Sequence, residues 1–308
     1  MSAAAGLALL FGVMAVGAWL AAALDRAALA LAAGRRPAAA MLVAPWRQGA
    51  IHLLRQRIRT ERPDAMNGLL APACYLLLAA AGMSVVPFAP GLVVADLDAG
   101  IVLWGACEAL TVVVVFLHGW SANAPLPLIG GYRYVAIGLP AMLLSMFVLI
   151  AAALPAQSLS VSAIVESQAS VWNAVRQPPG LVLFLMLGLS LTLRGPFDYA
   201  DAADLAGGTS AEASGPAQAA WQVARLAMLV SVSAMTAAVF LGGYHGPWLP
   251  GPAWMLLKMI VVLAVLAAAT HMFARLPPAR MLTLLWTLLL PLSFLVLALV
   301  GAEVLLWS

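Results

Sequence analysis

An all-α, polytopic integral membrane protein is the fold class this sequence predicts, and three observations predict it. Hydrophobic residues make up 64% of the 308 positions, whereas Asp, Glu, Lys and Arg make up only 9%; a soluble domain carries about 25% charge. The apolar residues gather in runs close to the roughly 20 residues that a bilayer crossing needs. The basic residues stand mostly between these runs. This balance excludes an ordinary soluble enzyme, a disordered or collagen-like chain and a nucleic-acid binder, all of which need polarity or clustered charge in quantity.

Eight spans follow in order: 3–24, 69–88, 101–118, 134–154, 181–193, 219–242, 253–273 and 282–306. The first begins beside Met1 with no basic flank. Ala21, Ala22 and Ala23 could mimic a signal-cleavage site, but a signal peptide starts positive, so the run reads as a retained span. The fifth is the shortest and is expected to continue a turn on either side, through Pro179 and towards Arg194. The whole, 1–308, reads as one membrane domain.

Charge then orients the loops. Arg26, Arg35, Arg36, Arg47, Arg55, Arg57, Arg59 and Arg62 lie between the first two spans, Arg133 closes the third connection, Arg194 opens the fifth, and Arg275 and Arg280 lie in the seventh. Only Arg176 falls on the other side. Basic loops stay cytoplasmic, so both termini are expected outside a cell inner or plasma membrane.

Two inside loops are long. Residues 39–59 carry Leu42, Trp46, Ala50, Leu53 and Leu54 at helical spacing beside Arg47, Arg55 and Arg59, which reads as a helix lying in the headgroup plane. Residues 194–216 hold the only inside acidic balance: Arg194-Gly-Pro-Phe-Asp198, then Asp201, Asp204 and Glu212. Cys74 and Cys107 sit in apolar runs with no CxxC, so neither a disulfide framework nor a structural zinc site is expected. No nucleotide-binding or metalloprotease motif is present.

Several segments, in this order, resemble the H-subunit (subunit 1) family of respiratory complex I. They are Val86-Pro-Phe-Ala-Pro through Ala95-Asp-Leu-Asp98, Gly119-Trp-Ser-Ala-Asn123 with Gly130-Gly-Tyr-Arg133, Ile164-Val-Glu-Ser-Gln168 with Trp172-Asn173, and Arg194-Gly-Pro-Phe-Asp198. Phe240-Leu-Gly-Gly243, Leu257-Lys258, Arg275-Leu-Pro, Trp286 and Leu290-Pro291 continue the series. The resemblance implies a membrane-arm subunit of a proton-translocating NADH-quinone oxidoreductase. Such a subunit anchors the peripheral arm, contributes to the quinone site and starts a line of intramembrane charges. It implies quinone (ubiquinone or menaquinone) as the substrate of the complex, and no covalent cofactor, metal or iron–sulfur cluster in this chain. Activity is expected only within the complex, whose partners are other membrane-arm subunits, iron–sulfur peripheral-arm subunits and lipid.

The departures from that family fall on charges. Asp25-Arg26-Ala27 stands where the family has Glu-Arg-Lys. Ala141 and Met142 stand where its fourth helix has Tyr-Glu. Ala203 replaces one member of its acidic series, and Arg225-Leu226 occupies the place of a Glu-Tyr on its sixth helix. Met142 holds no proton and an Arg does not release one, its pKa lying above about 12.

The candidate sites each carry two readings. Arg194, Phe197, Asp198, Asp201 and Asp204 form a quinone-site or arm-contact loop, or a solvated loop with an Arg194–Asp198 bridge and Phe197 as its staple. Glu108, Arg225 and Lys258 form a charge relay, with Glu108 a counter-ion for Arg225. The plainer alternatives are structural pairing, and a Lys258 that snorkels to the headgroups. Arg26, Arg47, Arg55, Arg57 and Arg59 dock a soluble partner or bind anionic lipid. His52, His118 and His271 are interfacial. The rival functions are the anchor of a complex I-related membrane-bound hydrogenase, a scaffold that has lost coupling, and a stand-alone secondary transporter.

Overall fold

The computed structural model describes residues 3–58 and 60–307. Their regular structure is helical, with one isolated bridge between Ala89 and Leu92. Helix α1 (Ala3–Ala32) runs past the expected end at Leu24, because Ala and Leu continue without a breaker until Gly34 and Pro37. Helix α2 (Ala40–Leu54) is the expected interfacial helix and has no buried residue. It leaves Leu42, Val43, Trp46, Leu53 and Leu54 exposed, an apolar edge suited to the headgroup boundary. Arg55 and Arg57 lie beyond its end, and Arg59 lies outside the described residues.

Helix α3 (Ala65–Ser84) is capped by Asp64, whose carboxylate accepts from Asn67 N at 3.1 Å. Helices α4 (Gly100–Ser121) and α5 (Pro125–Ala153) form an antiparallel pair joined by a tight turn. Arg133, expected in a loop, is therefore part of α5. Beyond α5 two short helices, α6 (Val161–Glu166) and α7 (Asn173–Arg176), build a folded loop that periodicity does not reveal. Helix α8 (Pro178–Leu191) follows, then α9 (Gly215–Phe240) and α10 (Gly251–Met272). The last crossing joins α11 (Pro278–Leu284) to α12 (Leu290–Trp307) through a π-helical turn at Leu285–Leu289.

Among the described residues, seven helices are long and apolar enough to cross a bilayer, and α8 is a shorter apolar helix. Helix α9 is the axis of the bundle. Every residue from Ala227 to Phe240 is buried, and α1, α2, α3, α8 and α10 all pack against it. Such a helix can be apolar all round because other helices, not lipid or water, cover it.

Helix α8 decides where the polar groups go. Its 14 residues rise only about 21 Å, short of the roughly 30 Å hydrocarbon layer. It starts at Pro178, a turn earlier than its apolar run, but stops at Leu191 instead of reaching Arg194. Its C-terminal carbonyls and the chain after them consequently end inside the protein. Thr192, Leu193, Phe197, Asp198, Tyr199 and Ala200 are all buried.

Candidate functional site

The last carbonyls of a helix have no partner within it, and leaving them bare inside a membrane protein is costly. Here side chains from three other helices reach them. Tyr75 of α3 donates to Leu191 O, and Tyr134 of α5 donates to Ser190 O at 3.4 Å. Arg225 of α9 donates through Nε to Thr192 O at 3.1 Å and through Nη2 to Leu193 O. A guanidinium at this end also meets the negative pole of the α8 dipole. The remaining Nη1 reaches Asp201 Oδ2 at 3.1 Å. Asp201 in turn accepts from Thr209 Oγ1 at 2.5 Å and Ser210 Oγ at 2.9 Å. Arg225 thus fastens the acidic loop to the stub of α8.

The loop packs hard against α5. A Cβ at Gly130 would lie 2.5 Å from Ala200 O, and one at Gly208, where φ is +51°, would lie 1.8 Å from the same atom. Only glycine admits this approach. Tyr199 stacks with Tyr134 and shares a 2.6 Å hydrogen bond with Ser190 Oγ; burial pushes its phenol upward.

Three further pairs tie the same end together. Arg194 Nη1 meets Asp25 Oδ1 at 2.7 Å, and His271 Nε2 meets the same oxygen at 3.1 Å, so α1, α10 and the loop converge on one carboxylate. Burial lowers the Arg194 pKa from its ordinary value, and Asp25 opposes that. Asp198 pairs with Arg275 at 3.0 Å; burial raises its carboxyl, with Arg275 pulling the other way. Asp204, the most exposed of the acids, pairs with Arg133 at 2.7 Å, and that hydrogen bond holds its carboxyl below the usual value.

These contacts correct several expectations. Arg194 and Asp198 do not bridge each other, because Asp25 and Arg275 are nearer partners. Glu108 and Arg225 do not pair either. Glu108 is buried between α4 and α5, where it accepts from Trp104 Nε1 at 2.5 Å and Ser145 Oγ at 2.6 Å, whereas Arg225 is spent on α8 and Asp201. Lys258 does not snorkel. It is 5% exposed, donates to Gly243 O at 2.8 Å and His245 O at 2.7 Å, and lies 4.4 Å from the Trp172 ring centre. That places it at the opposite end of the bundle. Phe197 is buried in the core. His118, expected at an interface, is buried and stacks on Trp221 at 3.7 Å.

Of the arginines expected to dock a partner or bind lipid, Arg26 donates to Gln48 and so joins α1 to α2; Arg47 is exposed on α2. Arg26, Gln48 and His52, with Arg194 and Asp25, line a groove of about 190 Å³ between α1, α2 and α9. His52 Nδ1 is buried there without a partner among the described residues. Sequence reasoning puts Asp25 and His271 near inside helix ends without joining them to each other or to Arg194, and it misses Tyr75 and Tyr134 as members of this end. Asp25 next to Arg26, at the edge of a span, is the one signal available.

Comparison with known proteins agrees with this architecture. The family model described as NADH dehydrogenase matches residues 5–301. The chain is 35% identical over 251 residues to the NADH-quinone oxidoreductase H subunit 1 of Rhodopseudomonas palustris (strain HaA2), covering 80% of this chain and 79% of that one. The chain belongs to the H-subunit family of NADH-quinone oxidoreductases. The H subunit from Rhodospirillum centenum is 32% identical over 233 residues, covering 73% of this chain and 69% of that one. The one from Syntrophotalea carbinolica is 30% identical over 265 residues, covering 83% and 80%. Within this family, then, the chain keeps the fold while it carries Met142 on α5 and Arg225 on α9. Ser145, one helical turn from Met142, holds the Glu108 carboxylate.

Proposed function

We propose that this chain is the quinone-side membrane subunit of an NADH-quinone oxidoreductase of the complex I type. It acts as one non-redox membrane domain, active only with its partners. The groove between α1, α2 and α9 is the observation that carries this reading. It opens where the amphipathic helix marks headgroup depth, so a lipid-soluble ligand reaches it from the bilayer. A quinone head presents two carbonyl oxygens and needs donors. Arg26, Arg194, the Gln48 amide and the unpartnered His52 offer them beside apolar walls from Ala22, Val223 and Leu226.

The loop of Arg194, Phe197, Asp198, Asp201 and Asp204 forms the rigid floor beside that groove, and its exposed edge at Asp204 faces the peripheral arm. The arginine-rich surface, including Arg47, Arg55 and Arg57, faces the cytoplasm and meets iron–sulfur arm subunits or anionic lipid. Both termini lie outside the inner or plasma membrane. Glu108, held with no cation partner among the described residues, is the intramembrane group able to exchange a proton. Arg225 keeps its charge and positions the loop, and Lys258 is held at the outer end.

A second reading, a scaffold that has lost coupling, draws on one observation: Nε, Nη1 and Nη2 of Arg225 each serve the fold. The test is a photoreactive quinone added to the complex purified in mild detergent, with crosslinked peptides and partner chains identified by mass spectrometry. Labels on α1, α2 and α9, displaced by unlabelled quinone, are expected. Labels confined to partner chains, or a homogeneous chain without partners, would overturn the proposal. Intact turnover and pumping in a Glu108→Gln complex would restrict the chain to the scaffold role.

A further inference from the structure

Behind the acidic loop, away from the groove, lies a second cavity of about 90 Å³. Residues 57–58 and 60–64, the start of α3, the end of α4 and residues 209–217 line it. His118 forms part of its wall, 6% exposed, and neither ring nitrogen has a hydrogen-bond partner among the described residues. Trp221, stacked on that ring, also has its Nε1–H unmet. A buried imidazole without partners is expensive. The surrounding atoms do not relieve it: Ser121 Oγ donates to His118 O, and Asp64 is occupied with Asn67.

The cavity has the size and lining for water. It has room for several waters, each of which needs two to four polar partners. His118 offers one N–H and one bare nitrogen, and Thr60, Ser121, Thr209 and Ser214, whose own protons go to Ala122 O, His118 O, Asp201 Oδ1 and Ile58 O, offer hydroxyl lone pairs that accept from water. Thr209 is the link onward, because its Oγ1 donates to Asp201 Oδ1 at 2.5 Å, and Asp201 pairs with Arg225. The charged groups facing the ring are Arg57, Asp64 and Glu212 around the cavity and Arg225 from α9, whose charge acts on it. Tyr75 stands on α3 beside Trp221, and Arg133 on α5 is engaged by Asp204.

We propose that this cavity is a water site, held by His118, that connects the partly buried Asp201–Arg225 pair to the aqueous phase on the arginine-rich face. A proton passes from cavity water to Thr209 Oγ1 as the hydroxyl's own proton passes to Asp201 Oδ1. The hydroxyl is unchanged, the carboxyl becomes neutral, and the water recovers its proton from bulk. Arg225 stays charged but loses its anionic partner, which loosens the acidic loop from the α8 stub. His118 is a positioning residue in this scheme. The coupling role rests on the quinone-side reading above; the hydration does not.

Radiolytic hydroxyl labelling of the intact complex, read by mass spectrometry, tests the hydration directly, because radicals form from bound water as well as bulk water. His118 and Trp221 should be oxidised within a few-fold of the exposed Trp248, although both are buried. Absence of label on both, with Trp248 labelled, overturns the proposal. The second arm compares Thr209→Val with Thr209→Ser. Val should keep the labelling while slowing proton-coupled quinone reduction several-fold and shifting its pH profile, and Ser should restore both. Equal rates and profiles in the two variants overturn the link to Asp201. A wild-type complex that reduces no quinone would sink the functional reading while the labelling still decides the water site.

Discussion

At the arginine-rich end of the bundle, four aspartates tie the chain together through guanidinium groups: Asp25 with Arg194, Asp201 with Arg225 and Asp204 with Arg133 each join a loop to a helix, and Asp198 with Arg275 joins two loops. At the opposite end the buried loop contacts are mostly neutral amides, and a partly exposed carboxylate, Glu166, accepts from Tyr244 Oη and lies 3.9 Å from His245 Nε2. Gln168 donates to Ile164 O and Ala238 O and accepts from the backbone N–H groups of Asn173 and Gly242. Asn173 donates to Ala152 O and Val239 O. Even the buried cation there, Lys258, rests on two carbonyls and a tryptophan face. A neutral amide clamp does not respond to proton or salt. A set of ion pairs does, and each pair is a place where one proton alters the contact. The difference assigns rigidity to one end and responsiveness to the other.

The largest expected effect breaks the first end outright. Arg225→Met removes the partner of a buried carboxylate and bares Thr192 O and Leu193 O. Breaking a buried pair from one side costs about 3–5 kcal/mol. The complex should fail to assemble, or lose its thermal stability sharply, in size-exclusion and melting measurements. A variant as stable as the parent would mean that the α8 stub is held by its tyrosines alone.

Gln168→Ala comes next and sharpens the contrast. It leaves three backbone groups unmet, Ala238 O and the N–H groups of Asn173 and Gly242, because Ile164 O keeps Ser167 Oγ; each is worth roughly 1–3 kcal/mol when buried. Stability should fall, while KM for quinone and the pH profile per intact complex stay unchanged. A shift in either would show that the end opposite the arginines takes part in turnover and that the division drawn above is wrong.

The sequence carries the fold more completely than the site. Hydropathy runs locate every long crossing, because lipid imposes one rule on each helix regardless of its neighbours. They lose the ends of α1 and α8 because those depend on where a loop, not a bilayer, takes over. The pairings are less accessible. Asp25 meets Arg194 across 169 positions and His271 across 246, and nothing local to a carboxylate names a partner so distant. Glu108 and Arg225 look like partners as lone opposite charges in separate spans. In the structure the short reach of α8 claims Arg225, and Trp104 and Ser145 claim Glu108. His118 reads as interfacial from its place at a helix end, which cannot reveal the aromatic ring laid over it.

Asp198→Asn is a smaller and opposite case. Burial holds the Asp198 carboxyl above its unfolded value, so the fold prefers the protonated form. That preference favours stability at low pH and is lost as pH rises from the unfolded pKa of about 3.9 through the folded one. The Asn variant keeps the shape without the buried charge, and Arg275 opposite is largely exposed. Near neutral pH its melting temperature should equal or slightly exceed the parent's, with the difference vanishing in acid. A clear loss at neutral pH would show that the Arg275 pair outweighs the burial.

The Arg133–Asp204 pair should matter least to stability, and its smallness is informative. Asp204 is 55% exposed, and pairs of this kind are worth about 0–1 kcal/mol and weaken with salt. The hydrogen bond from Arg133 lowers its carboxyl, so whatever stability the pair adds is present above the unfolded pKa and lost as pH falls through the folded one. Asp204→Asn should therefore lower the melting temperature by no more than a degree or two at neutral pH and not at all in strong acid. If assembly with the peripheral arm nonetheless weakens several-fold in that variant, and high salt weakens the parent equally, the charge is there for a partner. A pair that adds little to the isolated fold and much to assembly separates the docking edge of the loop from its buried root at Arg225. If neither stability nor assembly changes, the responsive part of this end stops at Asp201, and the outer half of the loop is ordinary solvated surface.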